Sequence, residues 1–447
     1  MDHRVLLAFY GDDFTGSTDA MEALHRFGLR TILFLDVPTK EMLDRFEGVQ
    51  CIGVAGTARA KDPSGMEKEL TPVWELFQAI RPFFVHYKIC STFDSSPETG
   101  SIGFVSELSQ RYFRGPTYPL LVGTPDLGRF TVFGNHFANF HGNVFRLDEH
   151  PVMSQHPVTP MDEADLGKHL QKQTSQTIGY KTVLDMENTA PEPSVLEDTE
   201  DITIFDALEE KHMNWFADVM WASRQEQPQF MIGSSGIEYA LAAKWKAEGQ
   251  TKAYEQTKQA QKIEQMLVVS GSVSDVTRRQ LEKAEEAGFH MEQVPYELLT
   301  SEEVPSSFIQ HILALLDQKK KVVLYTAKGP SDAAIEKTRA HLQNEGIAEE
   351  EMGIYLGKRL GEWTKHIMEQ SSLRRLVISG GDTSGFVTSQ LGIYGLEVLE
   401  STAPGAPLCH AYSDDDRFNG LEIALKSGQL GGEDFFENVF TAGKAEN

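Results

Sequence analysis

The stretch "RVLLAFYGDDFTGSTDAMEALHRFG", residues 4–28, carries the reading of the fold. Its apolar start suits a buried strand, "DDFTG" suits a turn, and Met21, Leu24 and Phe27 then recur at helical spacing, with Gly28 as a stop. "TILFLD" follows at once, so strand, turn, helix and strand fit into about 36 residues, the length of a βαβ unit. Outward from it the plan repeats. "CIGVAG", "FFVHYK" and "PLLVG" are further short apolar runs separated by amphipathic stretches, which predicts an α/β fold with mostly parallel sheets.

The pattern is interrupted once and then restarts. Residues 186–201, "MENTAPEPSVLEDTED", read as an acidic surface loop, and "QFMIGSSGIEYALAAKW" as another strand, glycine turn and helix. The polar segment at 244–264 reads as a linker between a domain at 1–243 and a second at 265–447. In the second, "MLVVSGSVSDVTRRQ", "KKVVLYTAKGPSD" and "LRRLVISGGDTSGFVTSQLG" each put a Ser/Gly turn where a strand should end.

Composition narrows the function. The 447 residues carry a net charge of −25, which disfavours nucleic acid and anionic membranes as partners, since both need a basic footprint. The N-terminus shows no signal-peptide pattern and no apolar run is long enough to span a bilayer, so a cytoplasmic protein is expected. Cys51, Cys90 and Cys409 lie far apart without CxxC spacing and read as buried thiols. An anionic ligand would need locally gathered cations, for which Lys88, Arg129, Lys328 and Lys426 are candidates beside Gly/Ser loops.

In an open parallel sheet, ligands bind outside the carboxyl ends of the strands, where loops enter helix N-termini. "VVSGSVSDVT" and "VISGGDTSGF" offer small residues, hydroxyls and free N–H groups there, which suits phosphate; ordinary helix capping is the bland alternative. Neither a Walker loop nor a dinucleotide fingerprint is present. Asp12 and Asp13 need more than capping, which one acid would satisfy, because adjacent carboxylates repel. A cation, a substrate hydroxyl or a transferable proton would explain the second. "HYKICSTFDSSPETGSIG" supplies Lys88, Ser91 and Thr92 to hold a carboxylate and Asp94 to accept from a hydroxyl, while Arg129 offers a planar fork. The pairs His136/His141 and His150/His156 lack zinc-site spacing, and no metal-ligating residue is assigned.

The set "GDDFTGSTDA", "YKICSTFDSSPETGSIG", "GRFTVFGNHF", "HPVTPM", "VSGSVSDVTRRQ", "SGGDTSGFVTSQLG", "APGAPL" and "ALKSGQLGGEDFF" occurs in the order found in the four-carbon acid sugar kinase family, which the chain resembles over nearly its whole length. The "YGDD" form is closer to members acting on 3-oxo-isoapionate than to tetronate kinases, which carry alanine before the two acids. The resemblance implies an N-terminal sugar-acid domain, a C-terminal ATP domain and an active site in the interdomain cleft. It places nucleotide contacts on Ser272, Gly380, Gly381, Asp382, Thr383, Ser384 and Gly428, and the sugar acid on Asp12, Asp13, Lys88, Ser91, Thr92 and Arg129. "IGSSG" at 232–236 departs from relatives with two glycines.

The activity so implied is ATP- and Mg²⁺-dependent phosphorylation of a primary hydroxyl of a small anionic sugar acid. Asp12 or Asp13 would act as base, with the choice open. A dehydrogenase or aldolase acting on the same acids, or a non-catalytic sensor, are the rivals. Oligomeric state is not readable, a homodimer being one option.

Overall fold

The computed structural model describes residues 4–140, 142–156, 158–197, 200–249, 251 and 258–443; His141 and linker positions 250 and 252–257 lie outside the described residues. The chain divides into two compact units, residues 1–254 and 255–447. Among the described residues, no helix is long and apolar enough to cross a membrane.

In the first unit the described strands form a parallel sheet in the order Thr31–Phe34, Cys51–Ala55, Leu7–Gly11, Phe84–Lys88, Gln229–Gly233, Tyr118–Leu121, Ile202–Phe205, Ile178–Lys181. Leu7–Gly11 is buried along its whole length, as a strand covered on both faces must be, and this is why it reads as a continuous apolar run. The helix Phe14–Arg26 begins at Asp13, whose carboxylate caps it, and turns inward Ala20, Met21 and Leu24. Phe27 closes the helix, and Gly28 takes the left-handed conformation at φ 83° that ends it. One face of the sheet packs on a core centred on Trp74, whose ring meets Phe113 and Phe230 edge-on at 5.7 and 5.5 Å.

The connections decide where a ligand can sit. After Leu7–Gly11 the next two strands go to one side of it, and the chain then crosses to Phe84–Lys88 on the other. Loops leaving the ends of Leu7–Gly11 and Phe84–Lys88 therefore diverge to opposite faces and open a crevice. Asp12 and Lys88 stand at that crevice.

The second unit repeats the arrangement. Its order is His290–Gln293, Lys321–Tyr325, Met266–Ser270, Arg375–Ser379, Glu422–Lys426, Leu408–Ser413, Ile393–Glu400. The first five are parallel and the last two antiparallel additions. Here the chain crosses from one side of Met266–Ser270 to the other before Arg375–Ser379, so the crevice lies where the loops at 271–274 and 380–383 leave the sheet.

Three expectations need correction. The 186–201 stretch is not simply a surface loop: its apolar residues pull it inward, Met186 from the helix Val183–Asn188, Val195 and Leu196 from a short 3₁₀ turn. The helix Gly236–Ala247 runs through the first residues of the 244–264 segment. Cys51 and Cys90 differ: Cys51 is buried as expected, but Cys90 is only half-buried, because it lies in the loop after Phe84–Lys88.

Candidate active site

Asp12 and Asp13 follow the central strand of the first unit and have different surroundings. Asp13 is the helix cap: its Oδ1 accepts from the Gly16 amide at 2.9 Å. Asp12 is buried, and both its oxygens are held by Arg59, Nη2 to Oδ1 at 2.6 Å and Nε to Oδ2 at 3.2 Å. The same Nη2 donates to Asp13 Oδ1 at 2.9 Å, so one guanidinium bridges the two acids and offsets their repulsion. Burial nonetheless pushes the Asp12 carboxyl up to about 6, against the pull of Arg59 and with a push from Asp13. Asp13 Oδ2 makes no hydrogen bond to another described residue, and its side chain is 32% exposed against 6% for Asp12, so Asp13 presents the accessible oxygen.

Arg59 escaped sequence reading. It lies in a 3₁₀ turn, Ala58–Ala60, after the neighbouring strand Cys51–Ala55, and its amide donates to Asp12 O at 3.0 Å. The unexplained charge of two adjacent acids was the available signal. The sheet order supplies the cation.

Lys88 ends the strand beside Leu7–Gly11, in register with Gly11, and is 3% exposed. Its Nζ donates to Ile89 O at 3.1 Å and lies 3.9 Å from Asp19. A Cβ at Gly16 would stand 2.5 Å from Asp13 Oδ1 and 3.0 Å from Lys88 Nζ, so the bare glycine lets both charges meet the first helical turn. Beneath lies a buried layer in which the His86 ring faces Glu238 at 2.6 Å.

The remaining first-unit candidates converge loosely. Thr92 Oγ1 donates to Asp94 at 2.8 Å and pairs with Cys90 Sγ at 2.9 Å. Ser91 uses its carbonyl, which faces His136 Nε2 at 2.8 Å; burial holds His136 down at about 4, which makes it a neutral structural group. Arg129 starts a small antiparallel sheet, Arg129–Val132, Asn135–Phe140 and Asn143–Arg146, that the sequence did not reveal. Its Nη1 leans on the carbonyls of Leu127, Gly128 and Asn139, while its buried Nε has no partner among the described residues. Cys90 lies within electrostatic reach of both Arg59 and Arg129.

In the second unit three loops meet. Gly271 is so close to Thr383 that a Cβ would stand 2.3 Å from its Oγ1. One at Gly428 would stand 2.6 Å from Ser272 Oγ, and one at Gly380, held at φ 125°, 3.0 Å from Thr383 Oγ1. Ser272, Gly380, Thr383 and Gly428 thus share one cradle. The first helical bond of Gly381–Gln390 runs from the Ser384 amide to Gly380 O, which leaves the amides of Gly381, Asp382 and Thr383 ahead of it. Ser384 itself turns inward, its hydroxyl donating to Gly380 O at 2.8 Å. Asp382 is exposed and bonds to no other described residue. Under the cradle lies Lys426, 1% exposed, with Nζ donating to Ser379 Oγ at 3.0 Å and Thr277 Oγ1 at 3.2 Å. Burial pushes its ammonium down to about 7, and its partners among the described residues are these hydroxyls. Lys328 does not join this group, because its Nζ is paired with Glu285 at 2.7 Å.

Comparisons with known proteins agree with this division. Residues 7–241 match the family model described as a sugar-binding N-terminal domain, and residues 267–436 that of a nucleotide-binding C-terminal domain. A 3-oxo-isoapionate kinase of Paraburkholderia graminis is 39% identical over 97% of this chain and 94% of its own. A 3-oxo-tetronate kinase of Pseudomonas savastanoi pv. phaseolicola is 27% identical over 97% and 96%. Solved structures from Salmonella typhimurium LT2 and Haemophilus influenzae share the fold, at TM-scores of 0.77 and 0.73 and identities of 24% and 23%, each covering 97% of this chain and 98% of its own. With both family models matched in order and a close relative aligned nearly end to end, the chain belongs to the four-carbon acid sugar kinase family and is a phosphotransferase.

Proposed function

We propose that the protein transfers the γ-phosphoryl group of ATP to a primary hydroxyl of a small sugar acid, with 3-oxo-isoapionate as the substrate. The observation that carries this is the bridged pair Asp12–Arg59–Asp13 beside Lys88, set where the strand order of the first unit's sheet switches from one side of Leu7–Gly11 to the other. The higher identity to the 3-oxo-isoapionate kinase than to the 3-oxo-tetronate kinase supports the choice of acid.

Asp13 is the base. Its Oδ2 is the accessible oxygen, whereas Asp12 is consumed in fixing Arg59. Phosphoryl transfer passes through a loose transition state, so a carboxylate that aligns the hydroxyl and takes its proton late is sufficient. Lys88 and the unpartnered Nε of Arg129 receive the substrate carboxylate, with Ser91 and Thr92 beside them. The cradle of Ser272, Gly380, Gly381, Thr383 and Gly428 takes the nucleotide phosphates on its amides, and Lys426 supplies positive charge from below. Ser384 braces the loop.

Asp382, unpaired at the start of a helix, fits a magnesium ion, which binds through one or two carboxylates plus phosphate oxygens. When bound, that ion neutralises charge on the β- and γ-phosphates. A role in sugar-acid breakdown, in the cytoplasm, is part of this proposal.

The test is an ADP-release screen over tetronates, 3-oxo-tetronates and 3-oxo-isoapionate, with NAD-linked turnover as the control. ADP formation dependent on 3-oxo-isoapionate is expected. Turnover of NAD, or ADP release indifferent to every acid, would sink the proposal.

A further inference from the structure

A second cluster lies apart from both sites. His290 and Glu292 occupy alternate positions of the edge strand His290–Gln293, so their side chains share one face of the sheet. His311, on the helix Ser306–Asp317, meets them there. Glu292 Oε1 lies 2.7 Å from His290 Nε2 and 2.9 Å from His311 Nε2, and the three ligand atoms all fall within 4.8 Å of one another. It is the one group of three such ligands among the described residues.

From this juxtaposition we infer that His290, Glu292 and His311 form a binding site for a transition-metal dication, zinc by preference. The chemistry of the donors selects the ion: two imidazoles and a carboxylate suit zinc and its neighbours, whereas magnesium and calcium seek oxygen alone. Zinc sits about 2.0–2.2 Å from nitrogen and oxygen ligands, which in a tetrahedron separates them by roughly 3.4 Å. The contacts of 2.7 and 2.9 Å need to open only slightly to admit it. Two N–H···O bonds are then exchanged for three metal bonds: each ring binds through Nε2 as the neutral Nδ1–H tautomer, its Nε2 proton shifting to Nδ1 or, from a doubly protonated ring, leaving to solvent.

Three protein ligands leave a position for water or a partner's side chain. The ion ties a short edge strand to the helix Ser306–Asp317 that follows it in the chain. The strand lies two positions from Met266–Ser270 in the sheet, so the ion is distinct from any magnesium taken with nucleotide.

The test uses the full chain stripped by chelator and titrated with Zn²⁺ calorimetrically, with Co²⁺ as a visible-absorbance probe. One tight equivalent per chain is expected, with ligand-field bands for Co²⁺ and a higher Tm on Zn²⁺ addition. His311→Ala, at a half-exposed helix position that folding should tolerate, removes the Tm shift. It is also expected to weaken binding by more than the roughly 10–100-fold that losing an outer partner costs. Glu292→Gln should do the same, and ADP release with Mg²⁺ should not change in either variant. Equal zinc stoichiometry and affinity in the parent and His311→Ala would overturn the site, as would a parent that takes up no zinc.

Discussion

Lys426 gives the most quantitative handle on the proposed nucleotide subsite. Buried with two hydroxyl partners and a free-protein pKa of about 7, it is half neutral near physiological pH. From that value roughly nine in ten Lys426 side chains are protonated at pH 6 and roughly one in ten at pH 8. If bound phosphates hold the ammonium charged, nucleotide binding takes up about 0.9 proton at pH 8 and about 0.1 at pH 6. The affinity then weakens about tenfold across that window, ~1.4 kcal/mol. Calorimetry in buffers of different ionisation enthalpy reads the proton count directly. Lys426→Met keeps the buried stem and removes the charge, so its binding should be weaker and lose that share of proton uptake. Titration of the nucleotide itself is common to both proteins and cancels in the difference. Equal proton uptake by the parent and Lys426→Met would refute the reasoning, because the ammonium would then be sensing no phosphate.

Three further outcomes follow from the first unit. Asp13→Asn retains a good helix cap, so folding should be spared while kcat falls by about 10²–10⁴; ADP-release kinetics beside a Tm measurement separate the two effects. Arg59→Met strands Asp12 in the interior, a loss of roughly 3–5 kcal/mol for a fully buried pair and less here because Arg59 is partly exposed. Since the Asp12 carboxyl is already raised, it can discharge by taking a proton, so the stability loss in urea should be smaller at pH 5 than at pH 8. An equal loss at both would contradict the assigned burial. Gly11→Ala would put a Cβ 2.0 Å from Ser17 Oγ, an overpacking expected to cost about 1–3 kcal/mol. Adding Ser17→Ala should return only part of this on urea unfolding, because the Ser17 Cβ itself would lie 2.9 Å away.

The parts legible in the sequence were local. The apolar run, the two acids and the helix after them specify the strand, cap and helix of residues 7–26 without reference to the rest of the chain. The glycine loops likewise announce their closeness to something, since small residues are needed wherever backbone and side chain crowd as at Gly271 and Gly428. Arg59 was not legible, because "TARAKD" is ordinary loop chemistry and its partner lies 47 residues earlier. The small sheet around Arg129 was hidden for another reason. Its strands are short and half-exposed, so they carry no apolar period.

The two lysines show what sheet order adds to local reading. Lys88 is the last residue of its strand and pairs in register with Gly11; Lys426 is the last of its own and pairs with Ser379. In each unit, then, the loop proposed to meet a ligand leaves one strand, and the neighbouring parallel strand ends in a buried cation. A lysine at that position is desolvated by the sheet and can extend only toward the crevice at the strand ends, where an anion restores the solvation it has lost. Lys328 is instead held in a direct ion pair with Glu285 at 2.7 Å, closer than the 3.9 Å that separates Lys88 from Asp19. In a protein with a net charge of −25, the proposed anion contacts would therefore rest on strand-end cations shielded from the general field, Lys88 in the first unit and Lys426 in the second.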